Sequence, residues 1–302
     1  MIIILGAVKN KKVIARIVGG IGNQLFVYAA ARRLALLNDA ELVLDTVSGF
    51  KYDSKYQRHF QLRHFCLDFR EATYRERLEP FSVPRRYFKR LQSRVWGFKN
   101  TFITDPKNIF DPSILSFKFS GELFLEGYWQ DERYFKDAES VIRKELKFIP
   151  PTDELNLSVA ESIRSKLSIA IHVRFFFDPD SGENINMNYY NSAIRSMEKK
   201  FKNAHYFLFS DKPDEAKRKI NLPNHRFTLI GHNFGDENSY ADLWLMSLCD
   251  HFIIANSTYS WWGAWLSESN VKYVIAPSLE TLGSEDAFGN FNRIVLNDWD
   301  RV

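Results

Sequence analysis

Polar and charged residues follow several apolar runs in the second half of the chain. His172 and Arg174 stand at the end of one such run, and Ser210 and Asp211 stand at the end of the next. Arginine offers a planar, permanently charged set of donors that suits a phosphate or a carboxylate, although an Arg paired with a structural acid looks the same. A carboxylate such as Asp211 accepts hydrogen bonds from ribose hydroxyls or a guanine edge, and it equally suits the cap of a following helix. These residue types favour a site for a small molecule that bears a phosphate.

A third apolar run, at 252–255, leads into Asn256, Ser257 and Thr258. Small polar residues at this point cap a helix, and a helix N-terminus presents unpaired N–H groups to an anion. Three tryptophans follow within five residues, Trp261, Trp262 and Trp265. For these we expect packing against the sheet rather than stacking on a ligand.

A glycine turn near the N-terminus, Gly19–Gln24, joins an apolar run to a long segment rich in Ala and Leu. The first suits a buried strand and the second a buried helix. Glycine lets an anion approach the backbone at the start of such a helix. The candidate ligand-binding residues in this turn are Gly20, Gly22, Asn23 and Gln24.

The elements that must position these residues fall into two predicted domains, 1–150 and 151–302, separated at the double proline Pro150-Pro151. The first domain opens with a strand, a turn, a helix and a second strand, and its last part holds a helix at about 136–148. Residues 49–120 show no regular pattern, and we expect them to be irregular. An alternative for the final residues of the chain is that they pack on the first domain.

The second domain alternates strand-like and helix-like segments, which predicts βαβ units and a parallel sheet. In such sheets ligands bind beyond the carboxyl ends of the strands, where the polar residues above stand. The predicted strands are 167–173, 206–209, 227–230, 252–255 and 273–276, and the predicted helices are 188–202, 212–220, 236–249 and 259–268.

Composition sets limits on the function. The chain has 302 residues, is 45% hydrophobic and 26% charged, and carries a net charge of +4, which are ordinary values for a globular protein. No apolar run has the length of a membrane span, and we expect no signal peptide. Cys66 and Cys249 lack metal-ligand spacing, so a reducing cytoplasmic location is expected. No nucleic-acid recognition motif is present, and nucleic acid is not an expected partner.

A basic segment at 85–99 has apolar residues at helical spacing, among them Phe88 and Leu91. A helix of this kind can lie on an anionic membrane surface. The ordinary alternative is a surface helix whose apolar stripe packs on its own domain.

Several blocks of the chain, in their order, resemble the bacterial α-1,2-fucosyltransferases, a family that also holds the animal blood-group H enzymes. The most specific block runs from 245 to 266 and ends in an Asn-Ser-Thr-Tyr-Ser-Trp-Trp-Gly-Ala-Trp-Leu sequence. The other matching blocks are Gly19–Ala30, Glu126–Phe135 and Phe209–Asp211.

The resemblance implies an α/β fold of the GT-B type, with two Rossmann-like domains whose parallel sheets face a cleft. It implies metal-independent, inverting transfer of L-fucose from GDP-β-L-fucose to the 2-hydroxyl of a galactose-type acceptor. GDP-fucose is then a co-substrate, and neither a cofactor nor a metal is expected. The acceptor class includes lipid-linked O-antigen or capsule repeats, which would place the protein in the cytoplasm or at the inner membrane. The resemblance adds an acceptor-binding set, Tyr128, Trp129 and Gln130.

One motif departs from the family pattern. The family reads His-x-Arg-Arg-Gly-Asp after the first strand of the second domain, whereas this chain reads His172-Val-Arg174 followed by Phe175, Phe176 and Phe177. Loss of a charge-assisted phosphate contact costs about 1.5–3 kcal/mol if nothing replaces it. The three phenylalanines also suggest a more apolar pocket. The alternatives are therefore a different donor such as GDP-colitose, an unusual acceptor, or a protein that binds a GDP-sugar but is catalytically weakened.

Arg174 is the predicted stabiliser of the leaving diphosphate. For a catalytic base, the acids near strand ends are Asp178, Glu126 and Asp45, and the leaving phosphate itself is a further option. A remote alternative is an NAD-dependent oxidoreductase, because Gly20-x-Gly22 follows a strand and Asp45 ends the next. Against it, the third glycine of that fingerprint is replaced by Leu25.

Overall fold

The computed structural model describes residues 11–95, 101–106, 109–176, 184–222, 224–282 and 291–302. Contacts within the chain divide it into two compact units, unit 1 ending at Leu146 and unit 2 beginning at Lys147. Among the described helices, none combines the length and the apolar character that crossing a bilayer requires.

Unit 1 is a parallel α/β structure. Its described sheet has the strand order β3-β2-β1-β5-β4, and every strand pair in it is parallel. The elements in chain order are β1 (Lys12–Arg16), α1 (Ile21–Asn38), β2 (Glu41–Asp45), β3 (Arg70–Glu71), α2 (Ser82–Val95), β4 (Phe102–Thr104), β5 (Glu122–Glu126) and α3 (Glu139–Glu145).

The core of unit 1 forms where the apolar strands meet. Ile14, Val43 and Phe124 lie on three neighbouring strands and belong to one buried cluster. Helix α1 is buried along most of its length, because its Ala-rich sequence allows close packing on more than one side. The sequence order strand, turn, helix, strand that opens the unit is therefore confirmed.

The expectation that residues 49–120 are irregular is wrong in part. This stretch supplies the edge strands β3 and β4, together with 3-10 turns at Leu62–His64 and Pro112–Ser116. Helix α2 lies where the basic segment at 85–99 predicts a helix, and 96–99 lie outside the described residues. The two strands are only two and three residues long. Segments this short carry too few residues to show an alternating pattern.

Unit 2 has the strand order β11-β10-β9-β6-β7-β8, again with parallel pairs throughout the described strands. Its elements in chain order are α4 (Glu154–Arg164), β6 (Ser168–Val173), α5 (Met187–Lys200), β7 (His205–Ser210), α6 (Pro213–Lys219), β8 (Phe227–Ile230), α7 (Ser239–Ser247), β9 (His251–Ile253), α8 (Thr258–Leu266), β10 (Val274–Ala276), α9 (Leu279–Leu282), α10 (Phe291–Ile294) and β11 (Asp300–Arg301). The chain first builds outward from β6 to β8, and then it returns to start again at β9. The order therefore reverses between β6 and β9, which is the point where doubly wound sheets bind ligands.

The five strands and four helices predicted for unit 2 are all present, with ends shifted by one or two residues in most cases. The largest difference is at 236–249, where a 3-10 turn (Asp236–Asn238) precedes a helix of nine residues. The final strand, β11, pairs with β10 inside unit 2. In unit 1, the helix expected at 136–148 is a 3-10 turn (Lys136–Ala138) followed by the short α3.

The tryptophans of α8 are fully buried and pack on one another. The rings of Trp261 and Trp262 lie 5.0 Å apart between centroids, and Trp299 lies 5.8 Å from Trp261. Gly263 lets α8 approach α7, because a Cβ there would stand 2.4 Å from the sulfur of Met246. Packing is thus the role of these tryptophans, as expected from the sequence.

Candidate active site

In unit 2 the predicted site residues lie at the carboxyl ends of three neighbouring strands. His172 is in β6 and Arg174 follows it, Asp211 follows β7, and Asn256 follows β9. The strand order reverses between β6 and β9, which is the point where doubly wound sheets bind ligands.

Asp211 holds Arg174 in place. Its Oδ2 forms an ion pair with Arg174 Nη1 at 3.1 Å, and its Oδ1 accepts a hydrogen bond from the backbone N–H of Phe175 at 3.0 Å. The guanidinium carries five N–H donors, so donors remain for an anion beyond this carboxylate. Asp211 is therefore a positioning residue here, rather than the cap of helix α6.

His172 is buried at the end of β6, with its ring 5.3 Å from that of Tyr259. Burial, together with the nearby charge of Arg174, lowers the pKa of His172 to about 3. The ring is therefore neutral at ordinary pH and carries one donor and one acceptor nitrogen. Its Nδ1 is buried and has no hydrogen-bond partner among the described residues.

Asn256 also has buried polar atoms without a hydrogen-bond partner, and in its case the whole side-chain amide is affected. Its side chain is 4% exposed, and neither its Nδ2 nor its Oδ1 has a hydrogen-bond partner in the described part of the chain. A buried polar group left unpaired costs about 1–3 kcal/mol, so such groups normally have a partner. A ligand that offers both a donor and an acceptor at this strand end would supply one.

Two neighbouring hydroxyls have local structural roles. Ser257 caps helix α8, since its Oγ accepts a hydrogen bond from the N–H of Tyr259 at 3.3 Å. Ser210 closes the turn after β7 by accepting one from the N–H of Lys212 at 3.1 Å. Thr258 is the first residue of α8. The predicted cap at the start of α8 is thus confirmed.

The phenylalanines after Arg174 differ from one another. Phe175, which stands where the family pattern has a second arginine, is buried. Phe176 is half exposed, and the Arg174 guanidinium carbon lies 5.4 Å from the centroid of its ring. An aromatic ring at this distance attracts the cation and desolvates it on one side. Phe177 and Asp178, the predicted base, lie outside the described residues.

In unit 1 the glycine turn lies at the corresponding point of reversal, after β1 and beside the end of β5. Gly19 has a φ of +76°, and a Cβ there would stand 2.7 Å from the side chain of Asn23. Gly20 is the N-cap of α1, and no side chain caps this helix. The guanidinium of Arg58, a residue that the sequence reasoning passed over, lies 3.6 Å from the position of a Cβ at Gly20. Gly22 lies within the first turn of α1.

Gln24 has a structural role instead of the ligand-binding role predicted from the sequence. It is fully buried, and its Nε2 donates to the carbonyls of Gly19 at 2.8 Å and His59 at 2.7 Å. Its Oε1 accepts from the N–H of Gln61 at 2.9 Å. With the amide used in this way, Gln24 fixes the shape of the turn and is not available to a ligand.

The predicted acceptor residues lie against the same turn. Gln130 Nε2 donates to Asn23 Oδ1 at 2.8 Å, and the ring of exposed Tyr128 lies 3.3 Å from the position of a Cβ at Gly19. Trp129 is fully buried with a φ of +54°, and its Nε1 has no partner among the described residues. The structure thus brings the two blocks of sequence together.

Glu126 and Asp45 form a buried ion cluster with Arg86 of α2. Arg86 Nη1 pairs with Glu126 Oε1, and Arg86 Nη2 pairs with Asp45 Oδ2 at 2.5 Å. Arg90 adds an ion pair to Glu126 Oε2 at 3.0 Å. Burial and the nearby Arg86 charge lower the pKa of Arg16, which ends β1 beside this cluster. In this structure Glu126 and Asp45 are ion-pair partners, and a general base would need to be free of such pairs.

Sequence reasoning also missed a polar network behind the unit 2 site. Burial raises the pKa of Asp242 to about 7, and Asn233 Nδ2 donates to its Oδ1 at 2.7 Å. Tyr259, whose ring contacts His172, donates from its hydroxyl to the carbonyl of Ser239 at 2.6 Å. In the sequence, Asp242 is the one acidic residue of a mostly apolar helix, and this isolation could have indicated it.

In the described part of the chain, no group of three or more His, Cys, Asp or Glu side chains is arranged to hold a metal ion. Metal independence itself stays a prediction.

Comparison with known sequences identifies the family. The model of glycosyl transferase family 11 matches residues 13–300, nearly the whole chain. The chain belongs to glycosyl transferase family 11. The protein is therefore a glycosyltransferase.

Two relatives are similar to this chain over most of their length. An α-1,2-colitosyltransferase of Escherichia coli is 28% identical over 278 residues, covering 88% of this chain and 91% of that protein. The O-antigen biosynthesis glycosyltransferase WbnK of Escherichia coli is 30% identical over 305 residues, covering 93% and 97%.

Solved fucosyltransferases share the fold at low sequence identity. NodZ, an α-1,6-fucosyltransferase whose crystals were soaked with GDP-fucose, has a TM-score of 0.54 at 16% identity, covering 91% of this chain and 97% of that one. A variant of Arabidopsis thaliana FUT1 in complex with GDP has a TM-score of 0.56 at 14% identity, covering 90% and 72%. The predicted GT-B class, with two Rossmann-like units built on parallel sheets, is thus confirmed, while the cleft between them stays a prediction.

Proposed function

We propose that this family 11 enzyme transfers a 6-deoxysugar, L-fucose in the first instance, from its GDP-activated form to the 2-hydroxyl of a galactose-type acceptor. The observation that carries the proposal is the carboxyl edge of the unit 2 sheet. There, Asp211 orients Arg174 through an ion pair. The same edge also carries the unpaired polar atoms of His172 and Asn256. A sugar diphosphate offers both the charge and the hydrogen-bonding groups that this edge needs.

The reaction follows from these roles as an in-line displacement. The acceptor oxygen forms a bond to the anomeric carbon as the bond from that carbon to the GDP oxygen breaks, which inverts the configuration. Arg174 stabilises the charge that develops on the departing diphosphate. The acceptor proton goes to Asp178 or to the leaving phosphate. No metal takes part in this proposal, so activity should survive chelation.

The second candidate is the same reaction with GDP-colitose, and a specific observation favours it. Phe175 and Phe176 replace a charged and a small residue of the family pattern, and a relative at 28% identity is named as a colitosyltransferase. Colitose lacks one hydroxyl that fucose has. A pocket walled by phenylalanine accepts the deoxygenated position, whereas a site built to hydrogen-bond a hydroxyl would reject it strongly.

A donor panel tests the proposal. Purified protein is given GDP-fucose, GDP-colitose or GDP-mannose with a β-galactoside, and both GDP release and the glycosylated product are measured, with and without a chelator. We expect transfer from GDP-fucose. A kcat/KM for GDP-colitose that is higher than the kcat/KM for GDP-fucose would move the assignment to the second candidate. GDP binding without transfer from any donor would indicate a weakened binder and contradict the proposal.

Thermal melts add a check on the reaction class. We expect GDP to raise the melting temperature and NAD to leave it unchanged, because a bound ligand stabilises only the state that binds it. Protection by NAD alone would support the oxidoreductase alternative instead. This experiment needs no acceptor, so its result is independent of the acceptor choice.

A further inference from the structure

Helix α2 lies on unit 1 with its charged side inward. Arg86 is buried in the ion cluster with Asp45 and Glu126, and Arg90 also pairs with Glu126. On the opposite side, Tyr87 and Phe88 are 63% and 61% exposed. A surface helix of a globular protein normally shows the reverse arrangement, with apolar residues on the core and charges in water. The ordinary alternative raised from the sequence, a stripe packed on its own domain, is therefore wrong for Phe88 and Leu91.

The exposed apolar side chains form one continuous surface. Val83, Tyr87 and Leu91 are spaced by four residues and lie in one row along α2, with Phe88 beside them. Phe81, the residue just before the helix, is also 72% exposed, with a φ of +68° that bulky residues rarely adopt. We call the surface made by Phe81, Val83, Tyr87, Phe88 and Leu91 the outer face of α2.

The charged residues of helix α2 all have one sign. Helix α2 contains five basic residues and no acidic residue. At 100° per residue, Arg85 and Arg90 lie on the two margins of the apolar row, and Arg85 is exposed. Aromatic and aliphatic side chains flanked by arginine match a surface that is apolar beneath and anionic above.

We propose that the outer face of α2 binds the surface of an anionic lipid bilayer. Tyr87, Phe88 and Leu91 enter the boundary between headgroups and acyl chains, while Arg85 contacts lipid phosphates. A second copy of the chain fits less well, because a two-fold contact would bring the same basic helices together without an acid between them. The ion cluster beneath α2 holds the helix on unit 1 while its outer face meets the lipid.

Vesicle flotation of the full-length protein tests this binding. The vesicles are phosphatidylcholine alone, or phosphatidylcholine with phosphatidylglycerol, at low and at high salt. We expect flotation with the anionic vesicles at low salt and a loss of about tenfold in affinity at high salt. The triple variant Tyr87→Ser, Phe88→Ser, Leu91→Ser should lower the affinity by about tenfold or more, and Arg85→Gln should lower it about threefold to fivefold.

A matched control variant is Phe234→Ser with Val271→Ser, which removes exposed apolar side chains from unit 2. This control should float like the parent protein. The triple variant should keep the melting temperature and its rate on a soluble galactoside, so that failure of this inference and failure of the proposed reaction are distinguishable.

Three results would overturn the proposal. The first is absence of flotation, and the second is equal binding to neutral vesicles at both salt concentrations. The third is a dimer in sedimentation experiments without lipid that the triple variant dissociates, since the outer face would then belong to a second copy of the chain.

Discussion

The carboxyl edges of the two sheets differ in how their polar side chains are satisfied. In unit 1, Arg86 neutralises Asp45 and Glu126, and the amide of Gln24 is used fully by the backbone. In unit 2, by contrast, His172 Nδ1 and both polar atoms of the Asn256 amide lack partners among the described residues. At the unit 1 edge the two carboxylates and the Gln24 amide are therefore paired, although Trp129 Nε1 and Arg86 Nε are buried there without a partner in the described chain, whereas at the unit 2 edge a whole amide and an imidazole nitrogen are unpaired. The difference teaches that charge alone does not mark a ligand site.

If this comparison is right, a change at the unit 2 edge should affect turnover and leave stability nearly intact. The strongest case is Arg174→Ala, which removes the donors that we propose stabilise the leaving diphosphate. We expect a loss of about 100- to 1,000-fold in kcat for sugar transfer, with a melting temperature within a few degrees of the parent protein.

The control for Arg174 is Arg195→Ala, an exposed arginine on α5 that bonds to Ser192. It should keep the parent rate. Near-normal transfer by Arg174→Ala would remove the unit 2 edge from the reaction and with it the contrast between the two edges.

The opposite outcome is expected at the unit 1 edge. Arg86→Leu leaves two buried carboxylates without their shared cation, and breaking a buried ion pair from one side costs about 3–5 kcal/mol. Urea unfolding should show this loss in the free energy of unfolding, while Arg85→Leu on the exposed side of the same helix should cost little. A loss below about 1 kcal/mol for Arg86→Leu would mean that the cluster is not a closed network.

A finer test concerns Asn256. Because its amide has no partner in the described protein, Asn256→Ala should leave the free energy of unfolding unchanged or slightly higher. Donor KM should rise by about tenfold, as expected for one lost hydrogen bond. Asn238→Ala, at an exposed position, is the control for both measurements. Reduced stability together with a normal KM would assign Asn256 to the fold and not to the ligand.

The last expected effect is a pH dependence of stability at Asp242, which leaves the sugar-transfer reaction itself unchanged. The pKa of Asp242 is raised to about 7 from 3.8, so between these values the folded state holds a proton that the unfolded state has lost. The free energy of unfolding therefore falls as pH rises from about 4 to about 7 and levels off above. Asp242→Asn removes this term, and its advantage over the parent protein should grow by about 1–3 kcal/mol from pH 5 to pH 8.

Melting curves across that pH range measure the Asp242 effect, with exposed Asp214→Asn as the control. Parallel curves for the parent protein and Asp242→Asn would show that this carboxyl does not titrate within the range.

The sequence predicted the fold well where long apolar runs and regular spacing occur. Strands such as β6 and β7 are six residues long and buried, and their signal is strong. The two-residue β3 and three-residue β4 have no such signal, because pairing with their longer neighbours decides their conformation. Helix α2 was visible as a basic amphipathic segment, but its orientation depends on the tertiary ion cluster around Arg86.

For the site, residue type and position at a strand end predicted which side chains gather at each edge, but not which of them are free. The sequence leaves Asp211 as either a contact for a ribose or guanine or the cap of the following helix, and the structure shows it bound to Arg174 and the backbone of Phe175. Gln24 was read as a ligand contact, and burial gives it a structural role. Such outcomes depend on partners far away in sequence, among them His59 for Gln24 and Arg86 for Glu126.

The buried tryptophans of α8 also make unit 2 optically distinct. Trp261, Trp262, Trp265 and Trp299 lie within 6.2 Å of one another in successive ring pairs, close enough for their electronic transitions to couple. The helix that carries three of them begins two residues after Asn256. Coupled transitions give a strong circular dichroism signal in the aromatic region, and this signal depends on the relative orientation of the rings. The unlabelled protein thus contains its own spectroscopic reporter of how donor binding and mutation affect unit 2.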